Sequence, residues 1–402
     1  MANTPTIRVD GYSGDWNKYK IEEVATFSKG SGYSKSDIQD TGTPLVLYGR
    51  LYTKYETVID EIDTFCAPKE RSVLSKGGEV IVPASGESAE DISVAAVVKN
   101  SGVILGGDIN IITPKKDLSP TFLAQAITHS STHHELSKLA QGKTVVHLRN
   151  SDIKSVDVSY PSTEEQTDIS NFFLRFDTLI ELQNKKLKKL VLTRKAMLLK
   201  MFPMDGATVP EIRFSEFTDD WKPKQFSMLF SERIEKTVSE NEDVLLSCAI
   251  TGMYLNSELF GHFRGSTTVG YLKVKKNDLI LSAQNLHLGN ANVNLRFDHG
   301  IISPAYKVYD LVDCDPYFAN AWVKRDDTKK FFLSATTEGA SQCRKNIEWD
   351  TLYQQSILCP SYEEQVKIGE FFKGLDNLIS LQEAKIEKLK NTKKALLKKM
   401  FV

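Results

Sequence analysis

By residue type and spacing, a few stretches of this chain could carry chemistry. Asp313-Cys-Asp-Pro-Tyr-Phe318 has the outline of a loop that holds an amino group for methyl transfer, yet it lacks the second proline and no glycine-rich cofactor loop precedes it. N-capping of a helix is the simpler role, since Asp315 stands directly before Pro316. His129, His133 and His134 supply one i,i+4 pair, but neither an H-E-x-x-H pattern nor a third ligand accompanies them. The glycines at 28–34 and 106–107 have no Walker lysine in register and read as turns. No Ser/His/Asp or Cys/His order stands out. The expectation is a chain that is not an enzyme and holds no metal or cofactor of its own.

The elements around these residues suggest positioning instead of catalysis. At 402 residues the chain is long for one core and suits two globular domains plus something elongated. The hydrophobic share of 41% and charged share of 26% are ordinary for a folded protein, with no run of 18 apolar residues. The start, MANTPTIRVDG, has no secretory pattern, so a cytoplasmic, membrane-free setting is expected. Cys66, Cys248, Cys314, Cys343 and Cys359 are scattered without a C-x-x-C pair and read as reduced, mostly buried thiols.

The strongest signal is a repeat. Residues 161–202 align with 360–401 without a gap, 23 of 42 positions being identical, and 209–221 echoes 4–16 with Ile7/Ile212, Arg8/Arg213 and Trp16/Trp221 in step. Inside the globular parts, 77–88 parallels 276–287 and 118–127 parallels 314–323, with Ser119 or Asp315 as N-cap and Pro120 or Pro316 at the first helical position. Elsewhere the halves share almost nothing. The expected order is domain 1–160, helical region 161–204, domain 205–359, helical region 360–402.

Each helical copy opens on a capping box, Ser162-x-x-Glu165 and Ser361-x-x-Glu364. A 4-3 seam follows: Phe173, Phe176, Ile180, Gln183, Leu187, Leu190, Arg194, Met197 and Met201, then Phe372, Leu375, Ile379, Gln382, Ile386, Leu389, Lys393, Leu396 and Met400. The polar breaks fall at the same positions in both copies. A helix of roughly 40 residues is about 60 Å long, more than one domain of this size can cover, so the copies are expected to pack on each other as an antiparallel coiled coil. The expected fold class is α+β: two α/β domains with small mixed sheets, separated by two long helices, with a pseudo-twofold repeat.

Two domains at the ends of a rigid antiparallel rod suit two readers spaced along a duplex, with one surface presented twice to a partner. The net charge of −1 hides a pattern: 17 Lys+Arg against 20 Asp+Glu in 1–160, 8 against 5 in 161–204, 17 against 21 in 205–359, and 9 against 6 in 360–402. Neither domain has the basic footprint of a free-standing DNA binder, so local patches or a basic partner would be needed.

On these features the chain resembles the specificity subunits of type I restriction-modification systems. The resemblance rests on the lead-in from Trp16 to Ile21 and Trp221 to Phe226, on G-K-T-V-V-H-L-R-N-S-D-I at 142–153, on the two P-S-x-E-E-Q helix starts, and on the heptad helices ending in LLKMF and LKKMF. The second half departs from it at 339–352, GASQCRKNIEWDTL. The resemblance implies that each domain reads one half of a bipartite, asymmetric double-stranded DNA site in the major groove. It also implies that the coiled coil sets the spacing and docks two modification subunits, and that restriction subunits complete the complex. S-adenosylmethionine, ATP and Mg would sit on those partners.

Base readers should be polar, aromatic or basic residues on loops after strands. In the first domain these are Arg50, Tyr52, Lys54, Ser85, Glu87 and Lys143; in the second, Arg264, Gln284, Asn285, His287, Gln342, Arg344 and Lys345. Each could equally be a solvated loop residue. Glu87 would suit a cytosine amine, and Gln284 or Asn285 an adenine edge. The lysines at 185, 186, 188 and 189 and at 393, 394, 398 and 399 read as a solvated face or as contacts to phosphate or an acidic partner. Phe172/Phe371 and Leu179/Leu378 lie off the seam, where a partner could cover them. The rival reading is a structural adaptor that joins two protein partners without touching DNA.

Overall fold

The structure, a computed structural model, describes residues 4–142, 144–204, 206–261, 267–341 and 344–402. It divides into two compact units, residues 1–184 with 385–402, and residues 185–384.

In the first unit the strand Asn17–Lys20 pairs antiparallel with Asp157–Tyr160, so the entry and exit of the globular part lie side by side. Between them a five-stranded sheet runs in the order Ala25–Lys29, Ile109–Pro114, Glu79–Pro83, Ala96–Val98, Val58–Ile59. Only the pair Val58–Ile59 and Ala96–Val98 is parallel, which makes the sheet mixed. Glu79–Pro83 is buried along its whole length, which explains its unbroken apolar run. The helix Pro120–His129 starts as its sequence requires, with Phe122 N donating to Ser119 Oγ at 3.4 Å and Pro120 in the first turn. Its Phe122, Leu123 and Ile127 join Trp16, Val80 and Ile112 in one core.

The second unit repeats this plan with different loops. Lys222–Gln225 pairs antiparallel with Ser356–Cys359. A four-stranded sheet runs Phe230–Glu232, Tyr306–Leu311, Leu279–Ser282, Ala291–Val293. The pairs within this sheet are all antiparallel, and the parallel pairing described in the second unit is the bridge between Leu245 and Ile301. Asp315 caps the helix Pro316–Val323, accepting from Tyr317 N at 3.0 Å and Phe318 N at 2.8 Å, the N-cap role that the sequence predicts for it.

The two long helices are α1 (Thr163–Lys200) and α2 (Tyr362–Met400). Within the first unit the start of α1 runs against the end of α2: the Phe173 and Phe401 rings are 6.0 Å apart, and Lys393 pairs with Asp177. Within the second unit the end of α1 runs against the start of α2: Phe202 and Phe372 are 6.2 Å apart, and Arg194 grips Asp376 at 2.5 and 3.1 Å. Both segments are therefore antiparallel, and their ion pairs fall at equivalent repeat positions. No residue of the expected seam is exposed, while the neighbouring Leu182, Val191 and Leu381 are. The basic break of each seam is thus used: Arg194 and Lys393 each take an aspartate of the opposing helix.

A clasp consumes the rest of the repeated sequence. In the first unit Arg8 donates to both oxygens of Glu165 at 2.7 Å, and Ile7 N donates to Lys399 O at 2.9 Å. Gln166 accepts from Ser119 N at 2.8 Å and donates to Asp117 O and Pro161 O, tying α1 to the cap of the helix Pro120–His129. In the second unit Arg213 and Glu364, Ile212 and Lys200, and Gln365 and Asp315 make the same contacts. The serines of both capping boxes accept from the N3 amides, at 3.4 and 3.3 Å, as expected. The glutamates instead serve the arginines, because a bidentate, charge-assisted pair outcompetes a single backbone N–H. Helix ends close the cores. Phe401 packs on Trp16, Phe122 and Phe173, and Phe202 on Trp221, Phe318 and Phe372.

Cys66, Cys248, Cys314 and Cys359 are free and buried, and Cys343 lies outside the described residues. Among the described residues no helix is long and apolar enough to cross a membrane, and no group of three or more His, Cys, Asp or Glu is placed to hold a metal ion.

Candidate functional site

The expected readers fall into different surroundings, and not all of them lie on loops after strands: Arg50 and Tyr52 belong to the short helix Arg50–Thr53 and Ser85 to the strand Ser85–Gly86. In the second unit Gln284 and Asn285 are exposed on the loop after Leu279–Ser282. The loop is shaped by Asn285 N donating to Ser282 Oγ at 3.3 Å and Leu288 N to Asn285 O at 3.0 Å, with His287 half-buried in the short turn that follows. Lys345 is half-buried on the strand Arg344–Ile347, which pairs with Thr336–Ser341. Lys143, Arg264 and Gln342, with the side chain of Arg344, lie outside the described residues.

In the first unit Arg50 is a staple. Its guanidinium donates to Glu56 at 2.6 Å, Asp63 at 2.8 Å and Glu61 O at 2.8 Å, and its side chain is only 8% exposed. Lys54 pairs with the same Asp63 at 3.0 Å. The remaining three, Tyr52, Ser85 and Glu87, are brought together on the wall of a groove of about 1400 Å³. Sequence reasoning missed the other main walls of this groove, Tyr48, Tyr55, Asp108 and His129. The i, i+4, i+7 spacing of Tyr48, Tyr52 and Tyr55 was the available signal.

The groove is built from small backbone and fixed rings. Tyr52 OH donates to Ser85 O at 2.9 Å, and Tyr55 OH to Ala95 O at 3.2 Å. With their hydroxyls tied to the backbone, these tyrosines present ring surface, and the Tyr48 and Tyr52 rings meet edge to face at 6.3 Å. Burial, then the nearby Asp91 carboxylate, raises the Tyr52 phenol above its usual range. A Cβ at Gly86 would lie 2.8 Å from the Tyr52 hydroxyl and 3.1 Å from Ile92 Cβ, so a side chain there would displace the ring that walls the groove. Ser85 and Gly86 pair with Val146–His147, and Ser85 Oγ lies 3.2 Å from His147 Nδ1. His129, at the end of the helix Pro120–His129, is pushed down to about 3 by burial and then by Lys393 and His133, so it faces the groove neutral at ordinary pH.

A second polar cluster, in the second unit, is fully paired. Lys307 donates to both oxygens of Glu232 at 2.7 Å, Tyr353 OH donates to Glu232 at 2.6 Å, and Lys307 lies 4.3 Å from the Trp349 ring centroid. A network this complete stiffens the domain and leaves no group over for a ligand.

Residues 13–192 match the family described as type I restriction modification DNA specificity domain. The chain is 27% identical over 242 residues to the type I restriction enzyme MjaIX specificity subunit of Methanocaldococcus jannaschii, covering 57% of this chain but only 50% of that relative. It is 20% identical over 404 residues to the MjaVIII specificity subunit of the same organism, covering 95% of this chain and 91% of the relative. In fold it is similar to the crystal structure of a type I restriction-modification S subunit from M. genitalium, with a TM-score of 0.60 and 15% identity over 99% of both chains. A chain from a structure of type I R-M complex assembly and conformational transition gives 0.59 and 15% over 96% of this chain and 97% of that one.

Proposed function

We infer that this chain is a DNA specificity subunit of a type I restriction-modification system. The observation that carries the reading is the match of residues 13–192 to a DNA specificity domain, whose framework of lead-in, clasp and paired helix the rest of the chain repeats. A framework kept twice around loops that differ is what two readers of unlike half-sites require. Each domain reads one half of a bipartite, asymmetric site in the major groove, and the paired helices set the number of base pairs between the halves. The chain itself does no chemistry. S-adenosylmethionine, ATP and Mg belong to the modification and restriction subunits, and the complex works in the cytoplasm.

Partner docking is supported by two apolar stripes at equivalent repeat positions. Phe172, Leu179 and Leu182 are 37%, 38% and 54% exposed on α1, and Leu378 and Leu381 are 52% and 68% exposed on α2. Phe371, the repeat equivalent of Phe172, is instead half-buried against the second core. Two matched stripes suit two copies of one modification subunit.

The test is to express the chain with its modification subunit in a methylation-free host and map methylated bases by single-molecule sequencing. A gapped, asymmetric motif that disappears without this chain is expected. The net acidity of both domains favours one alternative, an adaptor that joins protein partners and touches no DNA, and that alternative predicts methylation with no dependence on this chain.

A further inference from the structure

The groove of the first unit has a one-sided hydrogen-bonding inventory. Its charged walls are Glu87, Asp91 and Asp108 against Lys35 alone, and no arginine lines it among the described residues. Arg50, the nearest candidate, is held by Glu56, Asp63 and Glu61 O. Asp91 is engaged by the Ser88 hydroxyl at 2.6 Å. Glu87 and Asp108 are exposed, and their carboxylates have no hydrogen-bond or ion-pair partner among the described residues.

Glu87 is also delivered rigidly. The residue two before it is pinned by Tyr52 OH and paired with His147, and a side chain on the residue before it would crowd Tyr52 and Ile92. The residue after it, Ser88, caps the helix Ala89–Ile92 by accepting from Asp91 N at 3.1 Å. The backbone that carries Glu87 is therefore fixed from both sides, while its carboxylate stays free to accept from a base edge.

We propose that Glu87 selects cytosine at one position of the half-site read by the first unit, accepting a hydrogen bond from the cytosine N4 amine. The proposal rests on the specificity-subunit reading above. In the major groove guanine and thymine present acceptors, O6 with N7 and O4, which a carboxylate repels, and adenine sets its N7 acceptor beside its amine. The cytosine amine has an acceptor on one side only, the O6 of the paired guanine, whereas the adenine amine lies between two, its own N7 and the O4 of the paired thymine. The same charge repels phosphate, so Glu87 weakens non-cognate binding while it rewards the right base, a discrimination that works through rejection.

The experiment uses the full chain assembled with its modification subunit, and reads the methylated motif and the binding of a non-cognate duplex. Glu87→Gln both donates and accepts, so the cytosine position is expected to become degenerate or to shift toward adenine. The second half-site should stay unchanged, and non-cognate DNA should bind several-fold tighter. Glu87→Asp keeps the carboxylate and should keep cytosine at a reduced methylation rate. A first half-site unchanged in E87Q overturns the proposal, and so does an E87Q complex that only loses rate with its motif and non-cognate affinity intact, because that is the mark of a structural residue. If E87Q fails to assemble, an E87D motif that loses its cytosine overturns the proposal and one that keeps it at reduced rate supports it. A wild-type complex that yields no gapped motif contradicts the specificity-subunit reading itself; a gapped motif indifferent to Glu87 contradicts only the present proposal.

Discussion

Glu165 and Glu364 are each 1% exposed, and a carboxylate so deeply placed is tolerable only while its arginine is present. Arg213→Ala removes the partner and leaves the charge behind, so it should destabilise the second unit by about 3 to 5 kcal/mol in a denaturant titration. The loss should shrink when Glu364→Gln is added, because the stranded charge is then gone. His129 gives a pH dependence. Its folded pKa of about 3 lies below the usual 6.5, so the unfolded chain binds the extra proton between those values. Stability is complete above pH 6.5 and falls on acidification through that window, by at most about 1.4 kcal/mol per pH unit. Denaturation midpoints at pH 7 and pH 5 should therefore differ less in His129→Gln than in the wild type. At this scale the sequence was partly legible. Ser119, Asp315 and the serines of the capping boxes announce themselves because a cap is a local motif. The partners of Glu165 and Gln166 do not, because Arg8 and Asp117 are 157 and 49 residues away in the chain.

At the scale of elements, the heptad seam was readable from periodicity alone, and its direction follows from which aspartate each basic seam residue meets. What periodicity could not disclose is how a helix end enters a core. Met400 and Phe401 look like the end of a seam, yet Phe401 sits among Trp16, Phe122 and Phe173, aromatics contributed from the first half of the chain. Phe401→Ala should therefore leave a cavity in the first unit and cost about 3 to 5 kcal/mol. The first unit should melt earlier while the second, closed by Phe202, keeps its transition. Equal loss in both units, or in neither, would contradict the packing. The sheets were less legible than the helices: 77–88 and 276–287 look alike in sequence, yet they lead into a mixed sheet and an antiparallel one, because strand partners are chosen by distant residues. The groove was half-legible, since Tyr52, Ser85 and Glu87 follow helix and strand signals while Asp108 and His129 reach it only through the fold.

At the scale of the molecule, the duplicated framework implies that each function performed by the framework is performed twice. Leu182→Lys and Leu381→Lys each place a charge on one exposed stripe. Each variant alone should bind one modification subunit where the wild type binds two, and the double variant none, as read by native mass spectrometry with circular dichroism unchanged. Functions performed by the loops should, in contrast, be performed once each and independently. The most direct test replaces the variable part of the second unit, residues 230–347, with the corresponding part of another specificity subunit and maps the methylated motif of the assembled complex. The account predicts that one half-site changes while the other half-site and the gap between them stay the same. A motif that changes in both halves, or in neither, would contradict it.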